Sequence, residues 1–112
     1  MASLAFINLC LLLSSCGLTK QPETFTVKIF PLDVQGCWIG KINGSQRDAC
    51  GAFSEEIVVY PDDSLVVQAT KNPFGDADWR LVLQIYGRDG NLCSSDYTDE
   101  VGGTITARCS NN

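Results

Sequence analysis

The sequence of 112 residues contains no histidine, and this absence narrows the chemistry open to the protein. Serine and cysteine nucleophiles are ordinarily activated by a histidine base, so a hydrolase triad is excluded. The chain also has no CxxC spacing and no histidine, and the common zinc sites are built from such features. We therefore expect a protein that is not an enzyme and that holds neither a metal ion nor a cofactor.

Charge is missing from the start of the chain, where Lys20 is the first charged residue. The apolar run 4–13 is shorter than the roughly 20 residues that a membrane-spanning helix needs. Small residues follow this run, an order typical of a secretory signal peptide. We predict a signal peptide over 1–17 and a secreted, extracellular protein. A buried N-terminal helix is the less favoured alternative, and residues 13–16 also resemble the cleavage box of a bacterial surface lipoprotein.

Basic residues are in the minority, since 13 acidic side chains oppose 8 basic ones and the formal net charge is -5. This balance disfavours nonspecific binding to nucleic acid or to an anionic membrane. We expect neither partner, and we expect the protein to be a monomer.

Cysteine is present in a number that allows disulfide bonds. Removal of the signal peptide leaves four of the six cysteines, which in an oxidising compartment predict two disulfides. Three pairings are possible, and loop lengths do not choose among them, because the candidate loops restrain the unfolded chain by roughly 3 to 4 kcal/mol in each case. The four cysteines are Cys37, Cys50, Cys93 and Cys109.

Helical periodicity is also absent after the signal peptide, whereas short stretches with a two-residue alternation recur. Such close spacing of short strands suits a small all-β sandwich or barrel. We expect residues 36–112 to form one domain of this kind. Its six predicted strands cover 37–42, 55–60, 64–70, 79–86, 91–94 and 104–109.

The connections between these strands carry turn signals. Residues 43–54 are predicted to be a loop, and a turn at 61–63 is predicted to join the second and third strands as a hairpin. The pair 89–90, Asp-Gly, predicts a tight turn between the fourth and fifth strands. Residues 18–35 form an N-terminal extension, in which "TFTVKIF" alternates as a half-buried strand that ends at Pro31. Whether this strand joins the main sheet is left open.

The order of motifs from Cys37 to Cys109 resembles that of the MAX effectors, small secreted proteins of plant-pathogenic fungi that include a ToxB-like toxin. The resemblance lies in an early cysteine with "IN" a few residues on, a second cysteine, "EEIVVY", "SLVVQAT", a third cysteine and the terminal "GGTITARC". It covers about two thirds of the chain. The extension before Cys37 and a longer loop at 71–78 depart from the pattern.

This resemblance implies a six-stranded antiparallel sandwich of two three-stranded sheets. It also implies a disulfide between the first and fifth strands, which would pair Cys37 with Cys93 and leave Cys50 for Cys109. The implied function is that of a non-catalytic virulence or avirulence effector, or a toxin, that binds a host protein and can be translocated into host cells.

The mechanism expected from the resemblance is β-augmentation, in which an exposed edge strand offers its unpaired backbone groups to a partner. In the family the second and third strands carry such surfaces. A register shift of one residue would exchange the two faces of each strand. The outward, partner-binding candidates are Glu56, Val58, Tyr60, Val66, Gln68 and Thr70.

Three further sequence patterns have a functional interpretation. Asn43 begins an N-glycosylation acceptor, Asn-Gly-Ser, in the predicted loop. "GCWIG" contains a glycine and tryptophan spacing seen in lipocalin barrels, which suggests a small-molecule carrier as an alternative, although Trp38 and Trp79 are expected to be core residues. The acidic loops could supply a calcium site or a glycosidase pair in principle, from Asp76 with Asp78 or from Asp96, Asp99 and Glu100, but we expect these carboxylates to be solvated.

Overall fold

The computed structural model describes residues 21–72 and 78–111, and these residues form eight β-strands and no helix. The predicted signal peptide and Asp76 lie outside the described residues. Within the two described ranges, no helix has the length and apolar character needed to cross a bilayer. The strands are β1 (Glu23–Leu32), β2 (Cys37–Ile42), β3 (Ser45–Cys50), β4 (Phe53–Val59), β5 (Ser64–Lys71), β6 (Arg80–Tyr86), β7 (Leu92–Thr98) and β8 (Thr104–Ser110).

The strands form two antiparallel sheets of four strands each. The first sheet has the order β4-β1-β6-β7, and the second sheet has the order β3-β2-β5-β8. The predicted all-β class is confirmed, but the expected arrangement of six strands in two three-stranded sheets is wrong. Each sheet gains one strand, β1 in the first sheet and β3 in the second.

β1 is the segment whose membership of the sheet was open, and it lies between β4 and β6 in the first sheet. Its alternate side chains, including Val27 and Ile29, are fully buried. The predicted end at Pro31 is wrong. Pairing with β4 stops at Ile29, but pairing with β6 continues to Leu32. Near Pro31 one side of β1 therefore needs no N–H donor, and proline is tolerated at such an edge position.

β3 occupies the segment that was predicted to be a loop. Asn43 and Gly44 both have positive φ, 48° and 83°, which suits the two-residue turn of a tight hairpin between β2 and β3. β3 lies at the edge of the second sheet and is mostly exposed. Ala49 packs against the core, but the other residues of β3 are mostly polar and the strand carries no hydrophobic alternation.

The predicted hairpin of the second and third strands is wrong, because β4 and β5 belong to different sheets. The turn at 61–63 instead carries the chain from the first sheet to the second, with Asp62 at a φ of 69°. The turn at 89–90 is confirmed, since it lies in the connection between the paired strands β6 and β7. β7 extends further than predicted, into the acidic segment after Ser94.

The buried faces of the two sheets share one hydrophobic core. Trp38 is at its centre, as predicted, with its ring edge-on to Phe53 of the other sheet at 5.4 Å, and its indole N–H donates to the carbonyl oxygen of Gly51 at 3.0 Å. A Cβ added at Gly40 would lie 2.9 Å from the Trp38 ring. Glycine at position 40 is therefore what allows the large indole to fill this space.

The two disulfides confirm that all four cysteines are bonded, but they overturn the implied pairing. Cys37 pairs with Cys50, and Cys93 pairs with Cys109. The reason for the first bond is the unpredicted β3, which places Cys50 directly opposite Cys37 in the hairpin register. The second bond joins β7 of the first sheet to β8 of the second. Such bonds are compatible with an extracellular protein.

Asn111 ties the end of the described chain to its beginning. Its buried side-chain amide donates to the carbonyl oxygens of Gln21 and Val59, each at 2.9 Å. Its backbone N–H donates to Asp63, and its carbonyl accepts from the N–H of Asp62. The start of β1, the end of β4 and the crossover turn at 61–63 are therefore held at one place.

Candidate functional site

The six predicted partner-binding residues lie on two different sheets. Glu56, Val58 and Tyr60 are exposed on or just beyond β4, with 53% of Val58 and 61% of Tyr60 accessible. Val66, Gln68 and Thr70 are on β5, which pairs with β2 on one side and β8 on the other. The backbone of β5 is thus already paired on both sides, so edge pairing is open only to the β4 half of the set.

β4 is an edge strand whose described partner, β1, lies on one side only. Val59 is buried in the core and Ile57 packs against it, which fixes the inward face of the strand. Glu56 and Val58 alternate with these residues and are exposed. We define the β4 edge as residues 56–60, the second half of this strand together with Tyr60, which follows it.

The other half of β4 carries an ion pair that crosses between the sheets. Glu55 lies on the inward side of β4 and accepts two hydrogen bonds from Arg47 of β3, at 2.8 and 3.1 Å. Both side chains are about one third exposed. Hydrogen bonding from Arg47, assisted by its charge, lowers the pKa of Glu55, and the same pair raises the pKa of Arg47. The pair therefore covers the open side of the core between β3 and β4.

This ion pair predicts an acid-sensitive contribution to stability. Because the pKa of Glu55 is lower in the folded state than in the unfolded state, the contribution is present above the unfolded value, about 4.3, and is lost as the pH falls through the folded value. The urea midpoint of the wild type should therefore fall more steeply between about pH 5 and 3 than that of Glu55→Gln. Glu56→Gln, on the outward face, is the matched control and should keep the wild-type slope. Equal slopes for all three proteins would contradict the prediction.

The opposite side of the molecule is closed covalently. The Cys93–Cys109 disulfide joins β7 to β8, and the backbone N–H of Thr106 donates to the carboxylate of Asp96 at 3.3 Å. Cys109 is buried in the core, whereas Cys93 is exposed. Of the two sides of the molecule, the one with β4 is therefore the more open to a partner strand.

A row of apolar side chains on the outer face of the first sheet was not predicted as a site. Phe30, Val82 and Tyr97 are in register across β1, β6 and β7, on the face that points away from the core. In the sequence of β6 Val82 alternates with Leu81 and Leu83, which are buried, and an apolar residue on the other face of the strand was the available signal. Tyr97 was missed because it lay in a segment predicted to be a loop.

Arg80 and Asp99 border this apolar row. The guanidinium of Arg80 donates to both carboxylate oxygens of Asp99, at 2.8 and 3.0 Å, and lies 4.0 Å from the centre of the Tyr97 ring. Hydrogen bonding from Arg80 lowers the pKa of Asp99. The arrangement holds the Tyr97 ring in a defined place on the sheet surface.

Lys71 is a buried cation that the sequence did not single out. Its side chain has no accessible surface, and its ammonium group donates to the carbonyl oxygens of Trp79, at 2.5 Å, and Asp99, at 3.1 Å. It also lies 4.7 Å from the centre of the buried Trp79 ring. Lys71 therefore links the end of β5 to the segments that precede β6 and follow β7.

The other residues that the sequence singled out lie on the surface or in the core. Asn43 is exposed at the β2–β3 turn, and its side-chain oxygen accepts from the N–H of Val66 at 2.8 Å. Trp79 is buried, as predicted. Among residues 21–72 and 78–111, no three acidic or cysteine side chains are grouped as metal ligands. Trp38 fills space between the sheets that a lipocalin-like carrier would need for its ligand.

Neither a protein-family model nor a curated protein matches the chain.

Proposed function

We propose that this protein is a secreted, non-catalytic effector that binds a host protein through the β4 edge. The observation that carries the proposal is the position of β4, an edge strand with exposed apolar side chains at Val58 and Tyr60. An unpaired strand edge is a template for pairing with another chain. The predicted signal peptide and the resemblance to MAX effectors support the secreted and host-directed parts of the proposal.

In this mechanism a strand of the partner pairs with the backbone of residues 56–60. Main-chain hydrogen bonds supply much of the affinity in such complexes, and side chains beside the new strand select the partner. Val58 and Tyr60 offer apolar contact area, and Glu56 offers a negative charge. The partner strand would stop before Glu55, because the side chain of Arg47 crosses to that residue.

The proposal is tested with the secreted chain immobilised and exposed to an extract of host plant tissue. A partner recovered in this way is identified, purified and measured against single variants. Val58→Lys and Glu56→Lys should each weaken its binding by about tenfold or more, since hot-spot positions dominate interface energies. Ile39→Lys is the matched control, because Ile39 is an apolar residue of similar exposure on the outer face of the second sheet.

The comparison is made on variants whose amide spectra show the wild-type fold. Binding of the partner that is unaffected by Val58→Lys and Glu56→Lys would contradict pairing at the β4 edge. Equal weakening by Ile39→Lys would show a general effect of added positive charge instead. Recovery of no partner from host tissue would contradict the proposal as a whole.

A further inference from the structure

The outer face of the first sheet carries a groove that is separate from the β4 edge. Phe30, Val82 and Tyr97 form its floor, and its volume is about 310 Å³. Tyr97 is 55% accessible, and Leu32 beside it is 42% accessible. Exposed apolar side chains that stand together in a hollow are a common feature of binding surfaces, whereas single exposed ones are ordinary. The row of Phe30, Val82 and Tyr97 therefore favours an apolar ligand in the groove.

The polar groups along this groove are largely engaged within the protein. Gln84 accepts a hydrogen bond from the hydroxyl of Tyr86, and the Arg80 guanidinium is bound to Asp99. The carboxylate of Asp96 accepts from the N–H groups of Tyr97 and Thr106. A ligand that depends on many hydrogen bonds, such as an uncharged sugar chain, would find few groups available here, which again favours apolar contact.

Among the described residues that line the groove and the hollow beside it, acidic side chains outnumber basic ones. This second hollow shares Leu32 and Arg80 with the groove and is also lined by Asp78 and Asp99. With Asp96, three carboxylates line the two hollows against the single guanidinium of Arg80, among the described lining residues. Hydrogen bonding from Arg80 lowers the pKa of Asp99, which favours the charged form of this carboxyl group. A positively charged side chain next to an apolar anchor matches this surround.

We propose that this groove binds an extended segment of a partner protein that combines a large apolar side chain with flanking lysine or arginine. The apolar side chain packs against Phe30, Val82 and Tyr97. The basic side chains lie along the rim at Asp96. This surface is independent of the β4 edge, because it spans β1, β6 and β7 and includes no residue of β4.

The test uses the full secreted chain, labelled with ¹⁵N, and blocked peptides as probes. A peptide of alternating lysine and leucine should produce saturable shifts in the amides around Phe30, Val82 and Tyr97. A glutamate–leucine peptide and a lysine–serine peptide, which each lack one required feature, should not. Binding of the first peptide should weaken as salt is added, because the rim charges are exposed.

Single substitutions in the groove show which side chains contribute to binding of the lysine–leucine peptide. Tyr97→Ala should weaken binding of the lysine–leucine peptide by about tenfold or more, as expected for an aromatic anchor, and Val82→Thr should weaken it through the same floor. Asp96→Asn should weaken it by roughly twofold to fivefold, the range for an exposed charge pair. Ile39→Ala, on the outer face of the second sheet, is the control and should leave binding unchanged.

Four results would overturn the inference. They are the absence of saturable shifts, equal binding of the glutamate–leucine peptide, shifts that cluster on residues 56–60, and the same shifts with an uncharged chitin oligosaccharide. Shifts on residues 56–60 would show that the peptide binds at the β4 edge instead. Shifts with the chitin oligosaccharide would identify the groove as a glycan site. Because the Val58 and Glu56 variants leave the groove intact, failure of either proposal can be told from failure of the other.

Discussion

Replacing Lys71 with methionine is expected to lower the free energy of unfolding by about 3 kcal/mol. Methionine fills much of the space of the lysine stem but cannot donate hydrogen bonds. The carbonyl oxygens of Trp79 and Asp99 would then lose their donor in a site from which the Lys71 side chain excludes water. Each such unpaired group costs about 1–3 kcal/mol. Urea unfolding measures the loss directly, and the thermal midpoint should fall by roughly 15 °C.

Lys41→Met is the matched control for this experiment. Lys41 is exposed on β2, so the same chemical change should alter stability by no more than about 0.5 kcal/mol. If both variants lost the same small amount, the buried ammonium group would not be organising the segments around Trp79 and Asp99. Comparison of the two therefore separates the loss of a lysine in general from the loss of this buried one.

Removal of the Cys93–Cys109 disulfide, as Cys93→Ala with Cys109→Ala, should also cost about 3 kcal/mol. The bond closes a loop with a sequence separation of 16 residues, and the unfolded chain regains that freedom when it is absent. In the folded state its loss also releases β7 from β8. Amide exchange should therefore speed up on both strands, although they belong to different sheets.

The Cys37–Cys50 bond provides a comparison of nearly equal loop length, with a separation of 13 residues. Its removal should have a similar effect on the free energy of unfolding, about 3 kcal/mol, because the loop entropy is nearly the same. The faster exchange should here be confined to the β2–β3 hairpin, whose strands are already neighbours. A Cys93 and Cys109 double variant that loses under about 1 kcal/mol, or exchanges faster only on β7, would contradict the expected link between sheets.

Strands with one buried face could be predicted from sequence, because burial imposes a two-residue alternation. The range 37–42 agrees with β2, and in β8 Ile105 and Ala107, which alternate with Thr106 and Arg108, are buried. β3 could not be found in this way, since its sequence, "SQRDAC", has no run of alternating apolar residues. Missing β3 also removed the one local reason to pair Cys37 with Cys50.

The candidate site was predictable only in part, for a related reason. Alternation placed Glu56 and Val58 outward, and both are exposed. Whether a strand lies at an edge depends on its partners, and the partner of β4 is β1, which comes from the segment treated as an extension. Lys71 was not recognised for the same kind of reason, since the carbonyl groups that it binds are brought to it by later parts of the chain.

The place of β1 between β4 and β6 has a consequence for the order of assembly. The β2–β3 hairpin joins neighbours in sequence, whereas Phe30 of β1 must meet Val82 of β6, far along the chain. Contacts between such distant residues require closure of long loops, which slows folding. Until β6 has emerged from synthesis the first sheet cannot be completed, and one backbone edge of β1 stays unpaired. The earliest described strand is thus among the last to reach its final surroundings.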